Sequence, residues 1–182
     1  MNRLLIPGMV VGVVVLTCGA SRTALAAEIR DTIPPAFAPW GSEHDNLNAT
    51  LGSVLRVATA PNATRTDRLA LVTFLRNEVI PHAQDEELVL YPALDSVLGA
   101  RGSATATLVL DHRAIADRTL ELVSLVDSDP ALFQRQAVAV GALIDHHFAV
   151  EEEFVYPTLA RRMGNRAQQS LLRRMHAPEA VP

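Results

Sequence analysis

Between Ser42 and Met163 apolar residues recur at steps of three and four, and short polar or proline-containing breaks interrupt them. That spacing lines up apolar side chains on one face of a helix. Ser42 with Asp45 has the form of a capping box and predicts a first helix running to about Thr59, where Pro61-Asn62 breaks it. Thr64 with Asp67 opens a second, to about Leu98, and the Gly99 to Gly102 turn separates it from a third opened by Ser103 and ending near Asp127. Asp129-Pro130 places a cap before a proline in the first helical turn, so the fourth begins there and runs to Met163, stopped by Gly164-Asn165. A short amphipathic segment from Arg166 to about Met175 predicts a tail helix. The fold class expected is all-α, an antiparallel up-down-up-down four-helix bundle with a short C-terminal helix.

Two of the apolar stripes contain residues that do not belong in a core. Leu75, Val79, His82, Glu86 and Leu90 share one face of the second helix; Val140, Ile144, His147, Glu151 and Phe154 share one face of the fourth. The two stretches echo one another 65 residues apart. His82 and Glu86 followed by Tyr91-Pro92 match His147 and Glu151 followed by Tyr156-Pro157, and His44 and His112 stand before the two copies in the same order. With helix directions alternating, the four histidines lie 15 to 17 residues from the same end of the bundle. At about 1.5 Å per residue they share one layer to within roughly 3 Å, with Glu86 and Glu151 one turn further along.

Six such groups in one core layer need a partner. Burying a carboxylate costs several kcal/mol unless it is paired, and no Arg shares these stripes. Metal ions supply the missing charge, imidazole is their commonest neutral ligand, and the i, i+4 spacing lets His and Glu reach one ion or two adjacent ones. His44, His82, Glu86, His112, His147 and Glu151 are therefore the candidate metal ligands. His146 adjoins His147 but lies about 100° round the helix, and the Tyr156 register selects His147. Glu87, Glu152 and Glu153 read as a solvated face or as support for ligands, and Glu43 and Asp111 as caps or surface acids. Tyr91 and Tyr156 read as amphipathic core residues, with a bond to a ligand carboxylate as the alternative, and Trp40 as a staple over the bundle end. Pro81 is expected to kink or loosen the second helix. His176 reads as a solvent-exposed tail residue, and Arg161, Arg162, Arg166, Arg173 and Arg174 as a basic end compensating helix dipoles.

The first 26 residues change the picture of where this domain works. Arg3 precedes an apolar run from Leu4 to about Ala20, and Ala24-Leu25-Ala26 offers small residues for cleavage, so 1–26 is expected to be a signal peptide. The expected divisions are 1–26 signal peptide, 27–41 an extended arm held out of helix by Pro34, Pro35, Pro39 and Gly41, 42–163 the bundle, and 164–182 the tail helix. The expected destination is export, periplasmic or secreted. A membrane-anchored form, or a cytoplasmic protein with a misassigned start, is the alternative. Cys18 is the sole cysteine and falls in that segment, which removes disulfides, thiolate metal sites and cysteine nucleophiles from the mature chain. Losing residues 1–26 removes Arg3 and Arg22 and no acid, moving the net charge from −4 to −6. An acidic domain is no candidate for nucleic acid, and no stable membrane insertion is expected after cleavage.

The ordered set His44, His82-xxx-Glu86, His112, His147-xxx-Glu151, with Tyr-Pro nine residues after His82 and His147, resembles the hemerythrin-like (HHE cation-binding) family over about residues 40–160. The resemblance implies two non-haem irons bridged by Glu86, Glu151 and an oxo or hydroxo group, with zinc as the alternative ion. The oxygen-carrying members have a further histidine one turn after the third-helix His, where this chain has Ala116, and their last carboxylate is usually an Asp further along than Glu151. The chain is closer to a divergent four-His, two-Glu branch that includes iron–sulfur repair and iron- or oxygen-sensing members. One histidine fewer leaves a coordination position for O2, NO or peroxide. The implied functions are binding or sensing of such a ligand, a di-iron redox enzyme that reduces NO or removes peroxide, or a metal store or sensor. The protein partner and the electron donor are left open.

Overall fold

Most of the long helices begin where a side chain or a proline deals with the free N–H groups of the first turn. In the computed structural model, which describes residues 33–101 and 104–175, a 3₁₀ turn Pro35–Phe37 leads into α1, Ala38–Ala58. The expected signal segment at 1–26, the arm up to residue 32, the Ser103 cap and His176 lie outside the described residues.

The start of α1 corrects the sequence expectation. Pro39 sits in the first turn, where its missing N–H removes no helix bond, so the proline starts the helix instead of preventing it. Ser42 is inside the helix and its Oγ donates to the Ala38 carbonyl at 3.0 Å. Burial anchors this early start. The Phe37 and Trp40 rings lie 5.4 Å apart and pack on Tyr156 at 5.8 and 5.6 Å. Trp40 is thus a core residue within α1, not a staple ahead of it.

Helix α2 (65–98) starts with the expected capping box, Thr64 N–H donating to Asp67 at 2.7 Å and Asp67 N–H to Thr64 Oγ1 at 3.2 Å. It is built from α-helical Arg65–Phe74, a π segment Leu75–Val79, α-helical Ile80–Asp85, a π segment Glu86–Leu90 and α-helical Tyr91–Leu98. Gly99, at φ 64°, takes the left-handed position that ends a helix with least strain in glycine, and Ala100 N–H returns to the Asp95 carbonyl at 2.9 Å. Helix α3 spans Ala106–Leu125. Helix α4 (130–162) begins with Asp129 accepting from Leu132 N–H at 2.9 Å and comprises Pro130–Val150, a π segment Glu151–Val155 and Tyr156–Arg162. Helix α5 is Asn165–Met175.

Each of α1 to α4 packs on its neighbours in sequence, and α1 also packs on α4, which closes the up-down-up-down bundle. The apolar core falls into two clusters. One is built around Leu71, Leu75, Ile115, Leu122, Phe133 and Ile144; the other around Phe37, Trp40, Leu90, Leu94, Tyr156 and Leu171. The stripe on α2 is buried as expected, but Phe154 on α4 is 44% exposed and Val155 takes its place in the core. The π-turn accounts for this, because its wider turn delays the inward face by one residue.

Helix α5 packs against residues 86–90 of α2 and against the 3₁₀ turn. Its Leu171 is fully buried, and Gln168 donates to the Ala160 and Met163 carbonyls at 3.1 and 2.7 Å, satisfying acceptors at the end of α4. Leu171→Ala is expected to cost about 2–5 kcal/mol, as truncation of a buried leucine does, and to lower the urea midpoint of the full-length chain. An unchanged midpoint would mean that α5 adds nothing to the core.

Candidate metal centre

The polar layer lies between the two apolar clusters, and all six candidate ligands are in it and buried. Its geometry begins with local helix structure. Pro92 and Pro157 have no N–H and would crowd the carbonyl one turn back. In both places the helix has widened just before the proline, so that Tyr91 N–H bonds to the Glu86 carbonyl and Tyr156 N–H to the Glu151 carbonyl, five residues back. The same device precedes Pro81, where Ile80 N–H reaches Leu75. The loosening expected at Pro81 is therefore one of three π-turns, two of which start at a candidate ligand.

These turns also redirect the tyrosines. At about 100° per residue, nine steps of α-helix would put Tyr91 roughly half a turn round from His82. The residue absorbed by the π-turn swings it back toward the site. Tyr91 Oη donates to Glu151 Oε1 at 2.8 Å and lies 3.1 Å from His112 Nε2; Tyr156 Oη lies 3.0 Å from His44 Nε2. Burial and the charges of Glu151 and Glu86 push both phenols up, so they stay protonated. Both tyrosines thus face the polar layer, a role beyond core packing.

Glu86 occupies the middle. Its Oε1 lies 3.1 Å from His82 Nε2 and 3.5 Å from His44 Nε2, and its Oε2 lies 3.4 Å from His112 Nε2 and 4.0 Å from His147 Nε2. Glu151 Oε2 is 3.4 Å from His44 Nε2 and 3.6 Å from His147 Nε2. Two overlapping donor sets result: His44, His82 and Glu86, and Glu86, His112, His147 and Glu151, each with its donor atoms within 4.8 Å of one another. His146 is exposed on α4, outside the layer.

Acids face the outer nitrogens, Glu87 and Glu152 in the supporting role that the sequence reading allowed them, Glu43 and Asp111 in one it did not. His82 Nδ1 lies 3.2 Å from Glu43, His112 Nδ1 2.9 Å from Glu87, His147 Nδ1 3.6 Å from Asp111, and His44 Nδ1 3.2 Å from Glu152. Glu43 and Asp111 are therefore neither caps nor free surface acids. The signal was in the repeat, since each of the four acids is the immediate neighbour of a candidate ligand in sequence. Acids on the outer side favour a proton on Nδ1, and each Nε2 faces inward. His44 and His82 bring theirs to 3.1 Å, and His112 and His147 to 2.8 Å.

This donor set fits a cation. Both oxygens of Glu86 and Oε2 of Glu151 are buried without a hydrogen bond, facing the imidazole Nε2 atoms. In the protein alone, protons have to compensate. Burial works against charge on Glu86, but His82 and the other three imidazoles outweigh it and hold its carboxyl well below the usual range. Burial and the charge of Glu86 push Glu151 well above it. Burial also opposes a charged His82, yet Glu86 and Glu43 hold its pKa well above the ordinary value. Two carboxylates in one buried site do not both ionise without added positive charge.

A family model, the hemerythrin HHE cation binding domain, matches residues 38–140. Comparison with curated proteins gave no match, and neither did comparison with solved structures. The match covers His44, His82, Glu86 and His112 and stops short of His147 and Glu151, which the fold brings into the same layer. With more than half of the chain matched and a buried His/Glu cluster compatible with metal binding, this chain belongs to the hemerythrin HHE cation-binding family.

Proposed function

We propose that this chain is a non-haem di-iron protein that binds or senses O2, NO or peroxide. The observation that carries the reading is Glu86, whose two oxygens face different histidine pairs as a carboxylate bridging two ions does. His44 and His82 would hold one ion, His112 and His147 the other, with Glu151 beside both pairs. Imidazole and carboxylate donors suit iron, and zinc is the competing ion. When bound, a pair of irons supplies electrons and Lewis-acid positions for a small oxidant.

The residues around the site favour a small ligand over an organic substrate. All six inner side chains are buried, and the protonated hydroxyls of Tyr91 and Tyr156 offer hydrogen-bond donors at the layer itself. A redox enzyme acting on NO or peroxide would use the same centre, and turnover with a named reductant distinguishes it. A metal sensor draws support from the two buried carboxylates between the clusters, since metal binding then couples to bundle stability; a large gain of helicity on metal uptake would favour that role. Export belongs to the same reading, on the signal-type pattern of residues 1–26.

Metal analysis and an optical spectrum of the protein produced in iron-rich medium test this first. Two irons per chain with a near-ultraviolet bridge band are expected, whereas zinc alone or no metal would sink the di-iron reading. His82→Ala and His147→Ala should each lose at least one iron, while His146→Ala should keep both. Iron lost from the His146 variant, or retained in both of the others, would show the ligand assignment to be wrong.

A further inference from the structure

The four acids outside the histidines form a closed circuit. Glu43 on α1 supports His82 on α2, Glu87 on α2 supports His112 on α3, Asp111 on α3 faces His147 on α4, and Glu152 on α4 supports His44 on α1. Each helix thus supplies an inner residue and, beside it in sequence, the acid for the histidine of the next helix. No other arrangement of the four contacts uses every helix once as donor and once as acceptor in chain order. Solvated surface acids need not do this, and the outward pointing of a helix residue adjacent to a ligand does not by itself select a neighbouring histidine.

We propose that Glu43, Glu87, Asp111 and Glu152 act together as a negatively charged collar that positions the four imidazoles and sets how strongly the centre holds metal and favours its higher oxidation state. The inference rests on the metal reading above. A carboxylate accepting the Nδ1 proton holds the ring in the tautomer and orientation that present Nε2, and makes that nitrogen a stronger donor. Its negative charge also favours a more highly charged ion, more strongly where water is excluded. The four contacts are unequal on both counts. Glu152 is 15% exposed at 3.2 Å, Glu87 39% at 2.9 Å and Glu43 42% at 3.2 Å. Asp111, 30% exposed, lies at 3.6 Å, beyond hydrogen-bond reach. Glu87 makes the shortest contact, Glu152 on His44 is the best shielded from water and so carries the largest charge effect, and Asp111 contributes least to ring orientation.

Glu152→Gln keeps an acceptor for Nδ1 and removes the charge, Glu152→Ala removes both, and Glu153→Gln removes a charge from an exposed residue of the same turn. The full-length variants are titrated with Co2+ and their affinities compared, with thermal unfolding of the metal-free proteins to verify the fold. The reduction potential of the iron-loaded proteins is then measured. Glu152→Gln is expected to weaken Co2+ binding about tenfold and Glu152→Ala toward a hundredfold, with Glu153→Gln at wild-type affinity. In the iron protein, Glu152→Gln should shift the oxidised-to-reduced ratio about tenfold toward reduced, ~59 mV upward for a one-electron couple. Unchanged Co2+ affinity in both Glu152 variants, or an equal loss in Glu153→Gln, overturns the collar while leaving the metal centre in place. Wild-type protein that binds Co2+ but holds no redox-active iron overturns the proposed function, and the collar then stands or falls on the Co2+ affinities. A wild-type chain that takes up neither ion overturns both.

Discussion

Two carboxylates enclosed in one layer of a helical core set the terms for the rest of this molecule. An ionised carboxylate loses several kcal/mol of hydration on burial even after relaxation, and here Glu86 and Glu151 also repel one another. The four imidazoles offset part of that cost, enough to keep Glu86 ionised but not Glu151. The bundle builds everything else around this deficit: inward Nε2 atoms, acids on the outer nitrogens, phenol hydroxyls at the rim and a close-packed apolar cluster on either side. A cation bound in this layer would supply the missing positive charge and offset that cost.

The inner set was legible in the sequence because helix periodicity and a repeat both point to it. His82 and Glu86 stand on an apolar stripe, His147 and Glu151 stand on its copy, and depth along the helices matches His44 and His112 to them. None of this needed a precise helix start, so the misplacement of the first cap at Ser42 left the site intact. The choice of His147 over His146 likewise rested on register and agrees with their burial.

What the sequence hid follows from two physical causes. A π-turn has no strong composition of its own, so α-helical periodicity placed Phe154 in the core, one residue out of register, and gave no reason to turn Tyr91 toward the site. Tyr-Pro after each ligand carboxylate was the available clue, because a proline that deep in a helix needs the turn before it to loosen. Proline misled in the other direction at Pro39, which lies early enough in α1 to be harmless. Glu43 and Asp111 were misread because an acid beside a candidate ligand usually points to solvent. Only the packing of adjacent helices decides that Glu43 meets His82 and Glu152 meets His44.

The division of the core by a polar layer has a consequence for how the fold comes apart. Cooperative unfolding requires that loss of one region destabilise the next through shared contacts. The cluster around Leu71, Leu122 and Phe133 and the cluster around Phe37, Leu94 and Leu171 are separate apolar bodies, joined through helix backbone and through the histidine–glutamate layer. Metal held across that layer would couple the halves, so that they melt together. Without metal the halves would share only the helix backbone and a protonated His/Glu layer, and the end held by α5 would be able to open as a unit of its own.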